Sequence, residues 1–272
     1  VRTLLVDGNN LLKIGFHGAK NLYSQDKKVG GIFHFLNTLR KQLTEYNYDK
    51  ILVFWDGEYN SLERRKILAE YKANRIKSDD FDTESFYEQK NRIQLYLEEF
   101  FVRQVEQAEC ESDDLIAFYT QNSDNEQVTI YSGDKDLTQL MNDLLTKKME
   151  VEEVLDLAEK LFEENKNNKT LQNLLTGKTK DGIFEKELYE VNRKLIDLRN
   201  PLLTQEAKDE ILSLINESLD PDGRSYKQAM KLMREDGLYN FLPRGDNAWV
   251  DFITPFMKLT RKEKQTFKKQ KK

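Results

Sequence analysis

Four short apolar runs divide the first half of the chain. They are Thr3-Leu4-Leu5-Val6, Ile51-Leu52-Val53-Phe54-Trp55, Phe100-Phe101-Val102-Arg103-Gln104-Val105 and Gln127-Val128-Thr129-Ile130-Tyr131. Each has the length of a strand and is rich in β-branched or aromatic residues. Between them, apolar positions recur at helical spacing over 11–16, 32–46 and 86–99, and Glu111-Ser112-Asp113-Asp114 opens a further helix that continues through Leu115 to Tyr119. Strands joined by helical crossovers predict an α/β fold, a central and mostly parallel sheet with flanking helices over residues 1–140. Within it, 58–77 is predicted as a basic helix. Past Leu140 the pattern changes: 151–165, 185–199, 205–219 and 225–236 all carry helical periodicity. A helical C-terminal lobe over 144–257 is expected, followed by a basic tail over 258–272.

The way the strand-like runs end adds chemistry to this plan. Val6 is followed by Asp7, Trp55 by Asp56, and Tyr131 by Ser132-Gly133-Asp134-Lys135-Asp136. Ser, Gly and Asp are ordinary turn and helix-cap residues, so any one of these endings is explained by capping alone. Three of them in one parallel sheet are different, because all strand ends then share an edge and the carboxylates converge where open α/β sheets bind ligands. Glu111 and Asp114, three apart at a helix start, lie on neighbouring positions of one face, with Asp113 beside them. An acid in a first helical turn gains only about 0.3–1 kcal/mol from the helix dipole. Two carboxylates about 4 Å apart repel by about 4 kcal/mol at an effective dielectric near 20. Seven acids in one cleft therefore require protons or cations, and a hard divalent cation held by Asp and Glu oxygens is the economical solution.

Composition narrows the chemistry. The chain has 272 residues, one cysteine (Cys110) and two histidines (His17 and His34), which excludes a disulfide framework or a cysteine zinc cluster and leaves little room for imidazole catalysis. It fits a reducing, cytoplasmic setting, and no apolar run approaches the roughly 20 residues of a membrane helix. With no Walker-type glycine loop, an NTPase is not expected. The net charge of −5 is unevenly spread: 58–77 carries +3 and 258–272 carries +7, leaving −15 for the remainder. Carboxylate-held Mg²⁺ without a nucleophilic Ser–His or Cys–His set points to phosphoryl chemistry. The basic stretches are either phosphate grips or simply solvated surface.

In order along the chain, these motifs resemble the flap endonuclease and 5′–3′ exonuclease family of PIN-like nucleases, especially the bacteriophage enzymes called RNase H. Asp7 in LLVDGNN and Asp56 in VFWDG look like the first two family metal ligands. ESDD is similar to the family's Glu-Ala-Asp-Asp helix start, giving Glu111, Asp113 and Asp114, with Ser112 in place of Ala. SGDKDLTQL is similar to the Ser-x-Asp-x-Asp…Gln-Leu motif, giving Asp134 and Asp136. The RR…YKANR segment resembles the arch helix; by that match Arg64, Arg65, Lys72 and Arg75 would bind DNA, with Lys72 and Arg64 at the scissile phosphate.

The resemblance implies two or more Mg²⁺ ions, with Mn²⁺ as substitute. It implies an inner cluster of Asp7, Asp56, Glu111, Asp113 and Asp134, with Asp114 and Asp136 serving a second ion or acting through water. The expected activity is structure-selective 5′ cleavage of flapped, nicked or branched duplex DNA and of RNA–DNA hybrids, including RNA primer removal in replication and repair. A monomer is expected, recruited by a single-strand-binding protein or clamp. A PIN-class RNA endonuclease and a non-catalytic nucleic-acid-binding scaffold are the alternatives. One departure stands out. The family pattern continues into a helix-hairpin-helix with a Gly-Asp-x-x-Asp-Asn motif, whereas Leu140-Met141-Asn142-Asp143 runs here into Leu144-Leu145-Thr146-Lys147, and Gly245-Asp246-Asn247 does not match it. The module is either deleted or lost in a gap at Asp143-Leu144, and the abrupt junction favours a gap.

Overall fold

The computed structural model describes residues 1–72, 81–124, 126–140, 191, 194–216, 220, 223–242 and 247–270. The predicted helices over 151–165 and most of 185–199, and the site candidate Arg75, lie outside the described residues. The sequence itself is continuous through Asp143-Leu144. The Asp143-Leu144 junction, where a gap was expected, lies outside the described residues.

All four apolar runs contribute to one parallel sheet. Its strands are β1 (Arg2–Asp7), β4 (Lys50–Asp56), β5 (Arg103–Gln107) and β6 (Gln127–Tyr131), in the order β5-β4-β1-β6. Val6 pairs with Val53 on one side and Tyr131 on the other, so the ends of β1, β4 and β6 come level at one edge. The third strand begins later than predicted. Phe100, Phe101 and Val102 are buried as the chain leaves the preceding helix, with Phe101 in a left-handed conformation (φ 60°), and pairing starts at Arg103. A small hairpin, β2 (Tyr23–Ser24) and β3 (Lys27–Lys28), occupies the turn-rich segment.

The period-2 alternation of the strands divides the core in two. Leu4, Val6, Ile51, Val53 and Trp55 face one side, where they pack against α1 (Gly8–Gly18), α2 (Gly30–Glu45) and α4 (Thr83–Glu99). Leu5, Leu52, Phe54 and Val105 face the other, against α5 (Ser112–Gln121) and α6 (Gln205–Asn216). The chain changes face after β5 and crosses β1 to lay down β6. The topological switch point therefore falls between β1 and β6, beside Asp7 and Asp134. Gly57, directly after Asp56, makes a close approach that no side chain could share: a Cβ there would lie 1.7 Å from the Gln107 carbonyl oxygen.

The basic helix predicted over 58–77 is confined to α3 (Leu62–Ile67) among the described residues. The chain leaves helical geometry at Leu68, and Lys72 adopts a left-handed φ of 57°. Arg64, one of the basic residues of this helix, is buried. The C-terminal helices are α6, α7 (Tyr226–Glu235) and α8 (Ala248–Gln270). The last of these carries the expected tail forward as regular helix to Gln270. Phe252, Ile253, Phe256 and Leu259 of α8, with Ala229, Leu232 and Met233 of α7, belong to the same core as α1, α2 and α4. The Phe256 ring stacks on Phe100 with centroids 4.3 Å apart. Lys262 donates to Asp49, Asn47 and the Tyr48 carbonyl, each at 2.9 Å, fastening the basic end of α8 to the amino edge of the sheet, opposite the acids. Among the described residues no helix is long and apolar enough to cross a membrane.

Because Phe256 is fully buried against Phe100, Phe256→Ala should cost about 3–5 kcal/mol in urea unfolding. The loss should fall on one transition shared by sheet and C-terminal helices. Two transitions, with only one of them shifted, would show that the helices fold apart from the sheet.

Candidate metal centre

Asp7, Asp56, Glu111, Asp113, Asp134 and Asp136 line one cleft of about 120 Å³, together with Asn9, Asn10, Lys13, Tyr71, Lys72 and Ser112. The strand ends and the start of α5 thus meet as the parallel topology requires. Capping and site formation turn out to be compatible at Asp7. Its Oδ1 accepts from the Asn10 amide at 3.0 Å and caps α1, while the same carboxylate accepts from Ser112 Oγ at 3.3 Å and Ser132 Oγ at 3.0 Å. Glu111 stands at the N-cap of α5 but makes no capping bond; its carboxylate accepts from Lys72 Nζ at 2.6 Å.

Small polar residues hold the acids in register. Asn9 donates to Asp56 at 2.9 Å, and the Ser112 amide donates to the other Asp56 oxygen at 3.0 Å. Asn10 accepts from the Gly133 amide at 2.9 Å, tying α1 to the end of β6. Ser132 Oγ, itself donating to Asp7, accepts from the Asp134 amide at 3.0 Å, and Asp134 accepts from the Asp136 amide at 2.9 Å. Asn9, Asn10, Ser112 and Ser132 were not singled out as site residues in the sequence. The available signals were the position of Asn9-Asn10 directly after a strand-ending Asp and the replacement of Ala by Ser112.

Two candidates occupy positions other than those expected. Asp114 is 1% exposed and does not line the cleft; it is bonded to Arg64 and accepts the Leu202 amide at 3.0 Å. Arg64, expected at the scissile phosphate, is 3% exposed beneath α5. It lies 3.3 Å from Glu111 and 3.5 Å from Asp113, and its Nε donates to the Leu195 carbonyl at 2.9 Å. Arg65 is exposed outside the cleft, and Lys72 is inside it.

The charges show how little compensation the acids have. Burial pushes Asp7 up to about 6, with Asp56 adding to the rise and the Asn10 amide and Ser132 opposing it. Burial, followed by the charge of Asp114, pushes Asp113 up to about 7 against the pull of Arg64. For Lys72, burial disfavours the charge, but the bond to Glu111 outweighs it and the ammonium is held above its usual range. Arg64 behaves likewise: burial opposes its charge, and Asp113, Asp114 and Glu111 more than restore it. Among the described residues, no three Asp, Glu, His or Cys side chains are gathered as ready-made ligands of a single ion. The donor chemistry nevertheless fits a hard divalent cation: six carboxylates share a small cleft that contains no imidazole or thiol, and burial, with the charge of Asp56 adding to it, raises the proton affinity of Asp7.

An acid raised from 3.8 to about 6 favours the folded state at low pH, and this contribution disappears as pH rises through the folded value. In EDTA, stability should therefore fall between about pH 4 and pH 7, with Asp7 accounting for up to about 3 kcal/mol. Asp7→Asn should flatten that fall in urea unfolding at pH 4.5 and pH 8. An undiminished fall in the variant would show that Asp7 is not the strained group.

The chain is similar in sequence to known proteins. The 5′–3′ exonuclease N-terminal resolvase-like domain matches residues 2–169. DNA polymerase I of Bacillus subtilis is 32% identical over 149 residues, spanning 53% of this chain and 16% of the polymerase. A 5′–3′ exonuclease of Buchnera aphidicola is 31% identical over 144 residues, spanning 52% of this chain and 48% of its own. The chain thus covers half or less of these relatives. Among solved structures, T5 5′-exonuclease with divalent metal ions (zinc) bound aligns with a TM-score of 0.42 at 17% identity, covering 97% of this chain and 88% of that one. The catalytic core of Rad2 in complex with DNA substrate aligns at 0.38 and 14% identity, covering 86% and 91%. The domain match runs through every element that lines the cleft, and the chain belongs to the 5′–3′ exonuclease family.

Proposed function

We propose that this chain is a metal-dependent, structure-selective 5′ nuclease. It hydrolyses phosphodiester bonds near the 5′ ends of flaps, nicks and RNA primers paired to DNA, in replication and repair. The observation that carries this reading is the convergence of acids from three strand ends and one helix start on a cleft that also holds Lys72. The family's exonuclease domain and the Buchnera relative, a 5′–3′ exonuclease, support it.

In this reading Asp7, Asp56, Glu111, Asp113 and Asp134 hold the inner cation, and Asp136 serves a second ion or an ordered water. A bound Mg²⁺ or Mn²⁺ ion supplies Lewis acidity, which activates water and stabilises the leaving oxygen. The protein residues fix and neutralise the reacting groups. Asn9, Ser112 and Ser132 hold Asp56 and Asp7 in fixed orientations, so the ligands need little reorganisation when the cation arrives. Lys72 exchanges its bond to Glu111 for a phosphate oxygen and offsets the charge that builds there. Arg65, on the exposed face of α3, and Arg75 grip the neighbouring backbone. Selectivity comes from duplex shape and a free 5′ end, since backbone contacts position nucleic acid without reading its sequence. The cytoplasm is the setting, a monomer the working unit, and a single-strand-binding protein or clamp the recruiting partner.

A 5′-labelled DNA flap and an RNA–DNA hybrid, incubated with Mg²⁺ or EDTA, test the reading: both should be cut only with Mg²⁺. Failure to cut either would overturn it. Asp134 is exposed and its main role within the fold is to accept the Asp136 amide. Asp134→Asn should therefore keep the fold and DNA affinity while lowering cleavage by about 100-fold or more. Unchanged turnover would remove Asp134 from the site.

A further inference from the structure

The segment 195–204 brings the chain back to the sheet and runs alongside α5. Leu198 is buried among Leu115, Ile116 and Phe54, and its carbonyl accepts from Gln121 at 2.8 Å. At the other end of α5 the attachment is ionic. Arg64 reaches from α3 with its Nε on the Leu195 carbonyl and its Nη atoms among Glu111, Asp113 and Asp114, while the second Asp114 oxygen accepts the Leu202 amide. One guanidinium thus spans three elements, and two of the three acids it touches, Glu111 and Asp113, line the cleft. The fork of Arg64 is consumed by these partners, and the residue is almost wholly out of solvent.

We propose that Arg64 is a positioning residue: with Asp114 it latches segment 195–202 to the first turn of α5 and so fixes Glu111 and Asp113 in the cleft. This rests on the nuclease reading for its consequence in turnover, but the latch itself is a property of the fold. The geometry needs a planar cation with several donors in fixed directions. A lysine restores the charge, yet it cannot bond the Leu195 carbonyl and the acids together.

Three measurements decide it, using the full chain with folding checked by circular dichroism. Amide hydrogen exchange in EDTA should show the Leu202 amide exchanging about tenfold faster or more in Arg64→Lys and Asp114→Asn, because each breaks the latch. DNA affinity of Arg64→Met in EDTA should keep the wild-type salt dependence; a phosphate contact would instead lower the slope of log K against log salt by about 0.9. With Mg²⁺, Arg64→Lys should lose kcat at unchanged KM, without rescue relative to Arg64→Met. Unchanged Leu202 exchange, a reduced salt slope, or recovery of kcat by lysine would each overturn the proposal. If the wild-type protein cleaves nothing, the nuclease reading falls, and the exchange of Leu202 still decides whether the latch exists.

Discussion

Like charges crowded at one edge of a parallel sheet are the constraint on which this structure turns. Parallel strands send all their carboxyl ends the same way, and here three of those ends carry aspartate. Left bare, such acids repel by several kcal/mol per close pair. The fold answers with donors drawn from other elements: Asn9 on Asp56, Ser112 on both Asp56 and Asp7, Ser132 on Asp7, Lys72 on Glu111. The same bonds also hold β1, β4, β6, α1 and α5 in mutual register. Stability at the carboxyl edge and order in the cleft are therefore one property, and burial, with Asp56 adding to it, still raises the affinity of Asp7 for its proton.

The rest of the molecule supports that edge from behind. Alternating strand residues feed two cores, and the larger one takes in α7 and α8 as well as α1, α2 and α4. The acids consequently sit on a sheet packed on both faces, which is the rigid foundation a preorganised site requires. The basic end of α8 is fastened by Lys262 at the opposite edge. Among the described residues, Lys72, Lys13 and the buried Arg64 are the cations beside the acids of the cleft.

Much of this was legible in the residues. Strand runs such as Ile51–Trp55 are short, apolar and bounded by Asp-Gly, so their type and direction could be read locally, and the convergence of Asp7, Asp56 and Asp134 followed from parallel topology alone. The helix over 248–270 was harder to see. Phe252, Ile253, Phe256 and Leu259 have helical spacing, but Pro255 and the lysines beyond Leu259 hid it behind the composition of a solvated tail. The basic stretch after Asp56 misled in the opposite way. Its charges suit a long exposed helix, while the burial of Arg64 depends on acids 47 to 50 residues further on.

The sequence by itself determined which chemistry is possible: hydrophobic period sets the strands, and the acids at their ends, with almost no histidine or cysteine, admit a hard cation and little else. Only the tertiary structure decided what each acid and base does. Asp7 both caps a helix and faces the cleft, Asp114 turns away to hold Leu202, and Arg64 closes on three carboxylates instead of solvent. The reason is physical. A residue's type and spacing fix its charge and the face it occupies, but the partner that compensates a buried charge comes from wherever the chain folds back, and no local pattern records that.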